Sequence, residues 1–243
     1  MGCAYLLETA GRLKLMEEFF TLPLLNRSGF FHFFGTKTFT EAKAKAMHEG
    51  RSVRLIQVHG DGIIKISHPE IEERPTGDAL MTDRPGVLIT VFTADCLPVI
   101  IIDPNHHAVA IAHAGWRGSL LRISEKTVFA MAKDFGSDPD SLLVGLGHRI
   151  GRCCFEVGRE VWQQVEKEPF LSNGVIARKE GEKAWVDIAV LNRILLLNAG
   201  VKPEHIADAD ICTVCHPEIF YSFRRDRIKG QNMVSGVVIT DNG

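Results

Sequence analysis

VLITVFTADCLPVIIIDPNHHAVAIAHAGWRG, Val87 to Gly118, carries three apolar runs separated by two short polar breaks. The runs are rich in β-branched and aliphatic residues, and none alternates cleanly with polar ones. Val87–Phe92, Leu97–Ile102 and Ala108–Ala112 are therefore expected as strands buried on both faces. The second break, DPNHH, has the composition of a turn. The first break, TADC, supplies a carboxylate and a thiol. The third run ends in HAGWRG, His113 to Gly118, which brings an imidazole, two glycines, an indole and a guanidinium. Packing alone asks for none of these.

Outward from this segment the pattern stays mixed. Phe30–Phe34, Val53–Val58, Gly62–Ile66 and Leu142–Leu146 read as strands, and so do Tyr221–Arg224 and Val234–Ile239 in the tail. Helices are expected over Thr40–His48, Leu120–Phe135, Val157–Val165 and Asp187–Ala199, the last with Asp187 as N-cap and Gly200 past its end. No repeat or linker interrupts the pattern. The expectation is α+β: a single domain over residues 1–243, with mixed β-sheets flanked by helices.

The chain has 243 residues, 45% hydrophobic content and a net charge of -2, so it can bury a core and shows no global basic face for nucleic acid. The start, MGCAYLLETAGRLKLMEEFF, is too interrupted by charge for a signal peptide, and Leu6 replaces the hydroxyl residue of a myristoylation signal. No apolar run is long enough to span a bilayer. A cytoplasmic protein that binds neither membrane nor nucleic acid is the expectation.

In a reducing compartment the six cysteines, Cys3, Cys96, Cys153, Cys154, Cys212 and Cys215, read as buried thiols, ligands or nucleophiles rather than disulfides. CTVCH, Cys212 to His216, matches a haem-attachment pattern, but that chemistry belongs to exported proteins. As a zinc knuckle it lacks a second CxxC or paired histidines nearby. Adjacent Cys153–Cys154 reads as packing. GLGHRIG, Gly145 to Gly151, is one residue off a dinucleotide fingerprint; as a loop it would bring Arg149 or Arg152 near an anion.

His59 in QVHG, Cys96 in TADC and His113 in HAGWRG each fall at a strand end, where functional side chains collect. Together they make a plausible three-ligand zinc site with a fourth position for water or substrate. Asp95 and Asp78 would orient a histidine or accept a proton. Taken singly, each histidine also reads as structural and Cys96 as packing. Gly115 and Gly118 would let the backbone approach a ligand closely. Trp116 is a core lid or a stacking surface. Arg117 pairs with a structural carboxylate or binds phosphate as a planar fork.

The run TGDALMTDRPGVLITVFTADCLPVIIIDP followed by AIAHAGWRG resembles the YfiH or laccase-domain family, once described as multicopper polyphenol oxidoreductases. QVHG upstream, and IGRCCFEVG and FYSFRRD downstream, fall in the family's order. The similarity covers about residues 30 to 240. It departs at HFFGTKTFTEAKAK, which is shorter than the family's glycine-rich segment, and at His148-Arg149, where Pro-Ala is usual.

The resemblance implies a YfiH-like cysteine hydrolase fold. It also implies a purine nucleoside phosphorylase that takes adenosine, inosine and methylthioadenosine with phosphate and also deaminates adenosine. The family's metal-binding catalytic trio falls on His59, Cys96 and His113; Asp95 joins the catalytic set on its place beside Cys96. Arg117, Asp78 and Arg225 of FYSFRRD make up the substrate-binding set, Arg117 or Arg225 holding phosphate. Zinc is the expected metal, with copper possible at one site. Ten histidines without an HxH pair do not supply a four-copper oxidase. A cysteine hydrolase or deamidase with Cys96 as nucleophile, a copper-dependent polyphenol oxidoreductase, and a redox or metal-storage protein remain as alternatives.

Overall fold

The computed structural model describes residues 14–15, 18–46, 51–68, 73–168 and 172–240. Cys3, most of the N-terminal segment judged against leader signals, and the end of the expected helix Thr40–His48 lie outside the described residues. The expected α+β class with mixed sheets is what the chain forms.

Two six-stranded sheets and one three-stranded sheet carry the architecture. The first sheet runs β1 (Lys14–Leu15), β2 (Phe19–Thr21), β3 (Phe30–Gly35), β15 (Met233–Ile239), β7 (Leu88–Thr93) and β4 (Ser52–Arg54). The second runs β14 (Ile206–Asp208), β10 (Leu143–Leu146), β8 (Leu97–Asp103), β9 (Ala108–Ala114), β6 (Ala79–Thr82) and β5 (Ile63–Lys65). Most pairings are antiparallel; β4 with β7, β5 with β6 and β10 with β14 are parallel. The third orders β11 (Glu156–Val157), β13 (Lys183–Val186) and β12 (Ile176–Glu180).

The side-chain period of a strand explains why the decisive segment shows no polar alternation. In β8, Ile100 and Ile102 pack into the layer between the two large sheets, while Leu97, Val99 and Ile101 face the other way. In β9, Val109 and Ile111 enter the same inter-sheet layer, while Ala108, Ala110 and Ala112 face α3 (Ile123–Phe135) and α6 (Ile188–Asn198). The alanines are small enough for the helices to sit close. On the far side of the first sheet, Phe33, Leu88 and Val238 pack with Phe39 and with Ala44 of α1 (Glu41–Ala46). Every strand of the segment has an apolar layer on each face, because each sheet is covered on both sides.

The chain crosses from one sheet to the other at Ala94-Asp95-Cys96, between β7 and β8, with Asp95 in a left-handed conformation (φ 86°). Ile188 opens α6 behind the Asp187 cap, whose carboxylate accepts from the Ala189 and Val190 N–H groups. Four expectations shift. The helix expected over Leu120–Phe135 splits into α2 (Trp116–Leu120) and α3, because Arg122 is left-handed (φ 67°). The expected strand Tyr221–Arg224 is instead α7 (Phe223–Asp226), started by the Ser222 side chain accepting from the Arg225 N–H. The expected helix Val157–Val165 becomes the end of β11 followed by α4 (Arg159–Glu166). Strand β4 stops at Arg54, leaving Ile56 in an isolated bridge with Thr76.

Candidate active site

At one end of the sandwich the inter-sheet layer opens, and polar groups replace aliphatic ones on that face. His113 continues the row begun by Val109 and Ile111 along β9. Cys96 precedes β8 on the strand next door, where Leu97 pairs with Ala114 and Pro98 with His113. Asp78 precedes β6 on the other side of β9, where Ala79 pairs with Ala112. Three neighbouring strands therefore aim a thiol, an imidazole and a carboxylate at the same end.

His59 arrives differently. QVHG lies in the loop beyond β4, not at a strand terminus, and is pinned there. The Gln57 amide exchanges two hydrogen bonds with the Phe92 backbone, Nε2 donating to the carbonyl and Oε1 accepting from the N–H, each at 2.9 Å. The buried Asp78 carboxylate accepts the N–H groups of Val58, His59 and Gly60 at 3.2, 3.0 and 2.7 Å. That cradle holds His59 in a left-handed conformation (φ 58°). The same carboxylate meets Nδ1 of His113 at 2.8 Å, so Nε2 of His113 is left to face the site.

One donor atom from each of His59, Cys96 and His113 lies within 4.8 Å of the others. His113 is buried, Cys96 half-buried and His59 exposed, so the trio opens to solvent on the His59 side. Burial alone would raise the Cys96 thiol. The charge of His113, together with hydrogen bonds from His113 and His59, overcomes this and brings the thiol down to about 6. Burial would likewise lower His113; the Cys96 thiolate and the Asp78 hydrogen bond reverse that and raise it to about 9. Asp78 feels burial upward, but its bonds to His113, Gly60 and Val58 hold it below its ordinary value.

The trio lines a cavity of about 800 Å³. Asp95 and Trp116 line it too, and Arg54, Arg74, Arg117, Arg224, Arg227 and Lys229 make its walls electropositive. Asp95 is fixed at both oxygens, by the Thr213 hydroxyl at 2.6 Å and the Arg224 N–H at 2.6 Å. Arg54 is committed to Glu41, and Arg224 donates to the Cys154 and Glu156 carbonyls. Arg117 makes no ion pair with a carboxylate among the described residues. Its guanidinium lies 4.3 Å from the Trp116 ring, exposed at the cavity wall.

Two expected substrate contacts are placed elsewhere. Arg225 does not line the cavity. Its donors go to Asp226 and to the carbonyls of Thr213, Val214 and Phe220, so it braces a loop. Asp78 is buried, with its carboxylate on three N–H groups and His113. Arg149 is buried and forked onto Asp208, with Asp210 beside it, and is no anion ligand. Neither it nor Arg152 lines the cavity. Sequence reading missed Gln57, whose amide clamp needs a partner 35 residues away, and Arg224, the cavity-facing half of an arginine doublet.

A family model described as multi-copper polyphenol oxidoreductase laccase matches residues 37–240. A purine nucleoside phosphorylase of Bacteroides thetaiotaomicron is 37% identical over 182 residues, covering 74% of this chain and 67% of that protein. The adenosine deaminase RL5 of an unidentified prokaryote is 36% identical over 161 residues, covering 66% of this chain and 61% of that one. The matched segments thus span about two thirds or less of these relatives' own lengths. The crystal structure of the hypothetical protein YfiH of Bacillus licheniformis superposes with a TM-score of 0.86 at 25% identity, covering 94% of this chain and 99% of that one.

Proposed function

This chain belongs to the multi-copper polyphenol oxidoreductase laccase family, and we propose that it is a purine nucleoside phosphorylase acting on adenosine, inosine and methylthioadenosine, with an adenosine deaminase side activity. One observation carries this reading: a His59–Cys96–His113 donor set opens into an electropositive cavity that also holds Arg117, which has no carboxylate partner among the described residues. The names of the Bacteroides and RL5 relatives support it.

The donor set fits zinc. Two imidazoles and one thiol converge within 4.8 Å, the Asp78 bond fixes the His113 tautomer, and the exposed His59 side of the set opens to the cavity. When bound there by His59, Cys96 and His113, zinc supplies a Lewis acid beside the reacting atoms. The copper chemistry of the family's description needs a histidine-rich trinuclear cluster besides one such site. Among the described residues, the two groups able to hold a metal contain only two histidines between them.

In phosphorolysis a phosphate oxygen bonds to the anomeric carbon while the glycosidic bond breaks, and the purine leaves with the electron pair and takes up a proton. Arg117 would hold the phosphate as a planar fork, kept in plane by the Trp116 ring. The other cationic side chains of the wall raise the local concentration of the anion. In deamination water replaces the C6 amino group, which leaves as ammonia, and phosphate takes no part. Asp95, fixed on the cavity wall, would accept the proton that the attacking water gives up.

The Cys96–His113 ion pair would also suit a cysteine nucleophile with a histidine base. That reading leaves the second imidazole, His59, without a role. Stoichiometric zinc in the purified protein, with one equivalent lost from Cys96→Ala, would decide against it.

Two substitutions separate the proposed roles. Cys96→Ala should abolish both phosphorolysis and deamination. Arg117→Ala should raise the KM for phosphate by roughly tenfold or more, the worth of a charge-assisted fork, while leaving deamination within about twofold of wild type. Equal loss of both activities in Arg117→Ala, or a change only in thermal stability, would make the arginine structural and the phosphate assignment wrong.

A further inference from the structure

CTVCH lacks a second pair of ligands along the sequence, but the fold supplies one. An isolated bridge between Arg149 and Cys212 draws the loop after β10 against the loop that carries Cys212 and Cys215. The tight turn at Gly151, whose carbonyl accepts from the N–H groups of both Cys154 and Phe155 at 2.9 Å, then delivers Cys153 and Cys154 to the same place. The sulfurs of Cys153, Cys154, Cys212 and Cys215 all lie within 4.8 Å of one another. Cys215 sulfur is 3.5 Å from that of Cys154 and 3.7 Å from that of Cys153.

Those distances discriminate between uses of four cysteines. A disulfide holds its sulfurs at about 2.05 Å, far inside what these pairs show. A tetrahedron with metal–sulfur bonds of about 2.3 Å has sulfur–sulfur edges of about 3.8 Å, which these pairs approach. A multinuclear iron–sulfur cluster holds its thiolates farther apart, because iron and sulfide lie between them. Four sulfurs mutually within 4.8 Å, with two pairs at 3.5 and 3.7 Å, suit a single tetrahedral ion.

We propose that Cys153, Cys154, Cys212 and Cys215 form a second metal site, a closed tetrathiolate centre that takes one zinc ion and is separate from the His59–Cys96–His113 site. Four protein ligands leave no open position, so the site is structural rather than catalytic. The surroundings suit it. The Gly151 N–H donates to the Cys212 sulfur at 3.3 Å, which favours a thiolate there. A side chain at Gly151 would place its Cβ 3.1 Å from Cys212 Cβ and 3.3 Å from Cys153 sulfur, so glycine lets the two loops close. Cys153 is exposed, which gives an ion a way in.

The ion would staple two loops, one of which lines the cavity while the other holds a lining residue in place. Ile150 and Phe155 flank the first cysteine pair and line the cavity. Thr213, inside the CxxC, holds Asp95 through its hydroxyl. Arg224 spans the junction, its backbone N–H on Asp95 and its side chain on the Cys154 carbonyl.

Metal content and cobalt spectroscopy test the proposal. Zinc per chain is measured by elemental mass spectrometry for wild type and Cys215→Ser, and both are then reconstituted with cobalt(II) alone. The expected result is loss of one zinc equivalent in Cys215→Ser, together with loss of the intense sulfur-to-cobalt charge-transfer bands of a four-thiolate site. Those bands should persist in Cys96→Ala. Cys153→Ser, at an exposed position, gives the same readout where Cys215→Ser fails to fold. Unchanged metal content and an unchanged cobalt spectrum in the serine variants would overturn the proposal. So would a wild-type intact mass lighter by the hydrogens of a disulfide that proteolytic mapping places among these cysteines.

Discussion

Gly115 sits where a side chain would crowd the donor set: a Cβ there would stand 3.0 Å from the Cys96 sulfur and 3.1 Å from His59 Nδ1. Gly118 meets a similar limit, its Cβ falling 2.7 Å from the Gly60 carbonyl oxygen. The backbone of HAGWRG thus presses against QVHG, and the glycines make the donor set compact. Gly115→Ala should lower zinc affinity by roughly tenfold or more, as displaced ligand geometry does, while the far-UV circular dichroism stays that of the wild type. Zinc affinity equal to wild type would show that the close approach has no role. Asp78→Asn tests the other support. An amide cannot serve as the same acceptor for three N–H groups and an imidazole, so zinc affinity should fall by roughly 10–100-fold. A variant that binds zinc normally would remove Asp78 from the site's support. At this scale the sequence showed the residue types and their strand-end positions. It did not show which arginine of Arg224-Arg225 faces the cavity, because α7 turns one inward and the other onto loop carbonyls. Nor did it show that Cys153–Cys154 completes CTVCH, since that pairing depends on a loop contact about sixty residues apart.

The second strand of the first sheet's core, β3, carries an element-scale test. His32 is buried there, and its Nε2 accepts the Leu22 N–H at 2.9 Å. Burial lowers its pKa from 6.5 to about 4. Above pH 6.5 it is neutral whether the chain is folded or not. Between pH 6.5 and 4 the unfolded chain takes up a proton that the folded one refuses, so stability falls as the pH drops, by about 3 kcal/mol across that window. Urea midpoints should therefore decline through this range, and His32→Gln, which keeps an acceptor, should flatten the slope by about one proton's worth. Equal slopes in the two proteins would contradict the assignment. The Asp187 cap gives a second test, since Asp187→Ala should cost about 1 kcal/mol in urea unfolding. Long apolar strands and the capped helix α6 were legible because their signals are local. The break at Arg122 and the helix at Phe223–Asp226 were not, because a left-handed residue and a one-turn helix leave little periodic trace.

Across the whole molecule, the catalytic proposal rests on where the chain changes sheets. TADC ends β7 in one sheet and begins β8 in the other, which puts Asp95 and Cys96 at the mouth of the layer between them. His59 comes from the first sheet's side and His113 from the second, so the donor set forms only when the two sheets are packed. The sequence marked the three apolar runs as central and doubly buried, and β8 and β9 are buried throughout. It gave no sign that β7 belongs to a different sheet from its two successors, because a crossover and a hairpin read alike in a short polar break. The most direct measurement is product identification by mass spectrometry after the purified protein is given adenosine with phosphate and without it. The account predicts adenine and ribose 1-phosphate only when phosphate is present, with ribose 1-phosphate equal to adenine plus the hypoxanthine formed from inosine. A smaller yield of deamination product is expected in either case, and none of these products with Cys96→Ala. Adenine formed equally well without phosphate, or full turnover by Cys96→Ala, would contradict it.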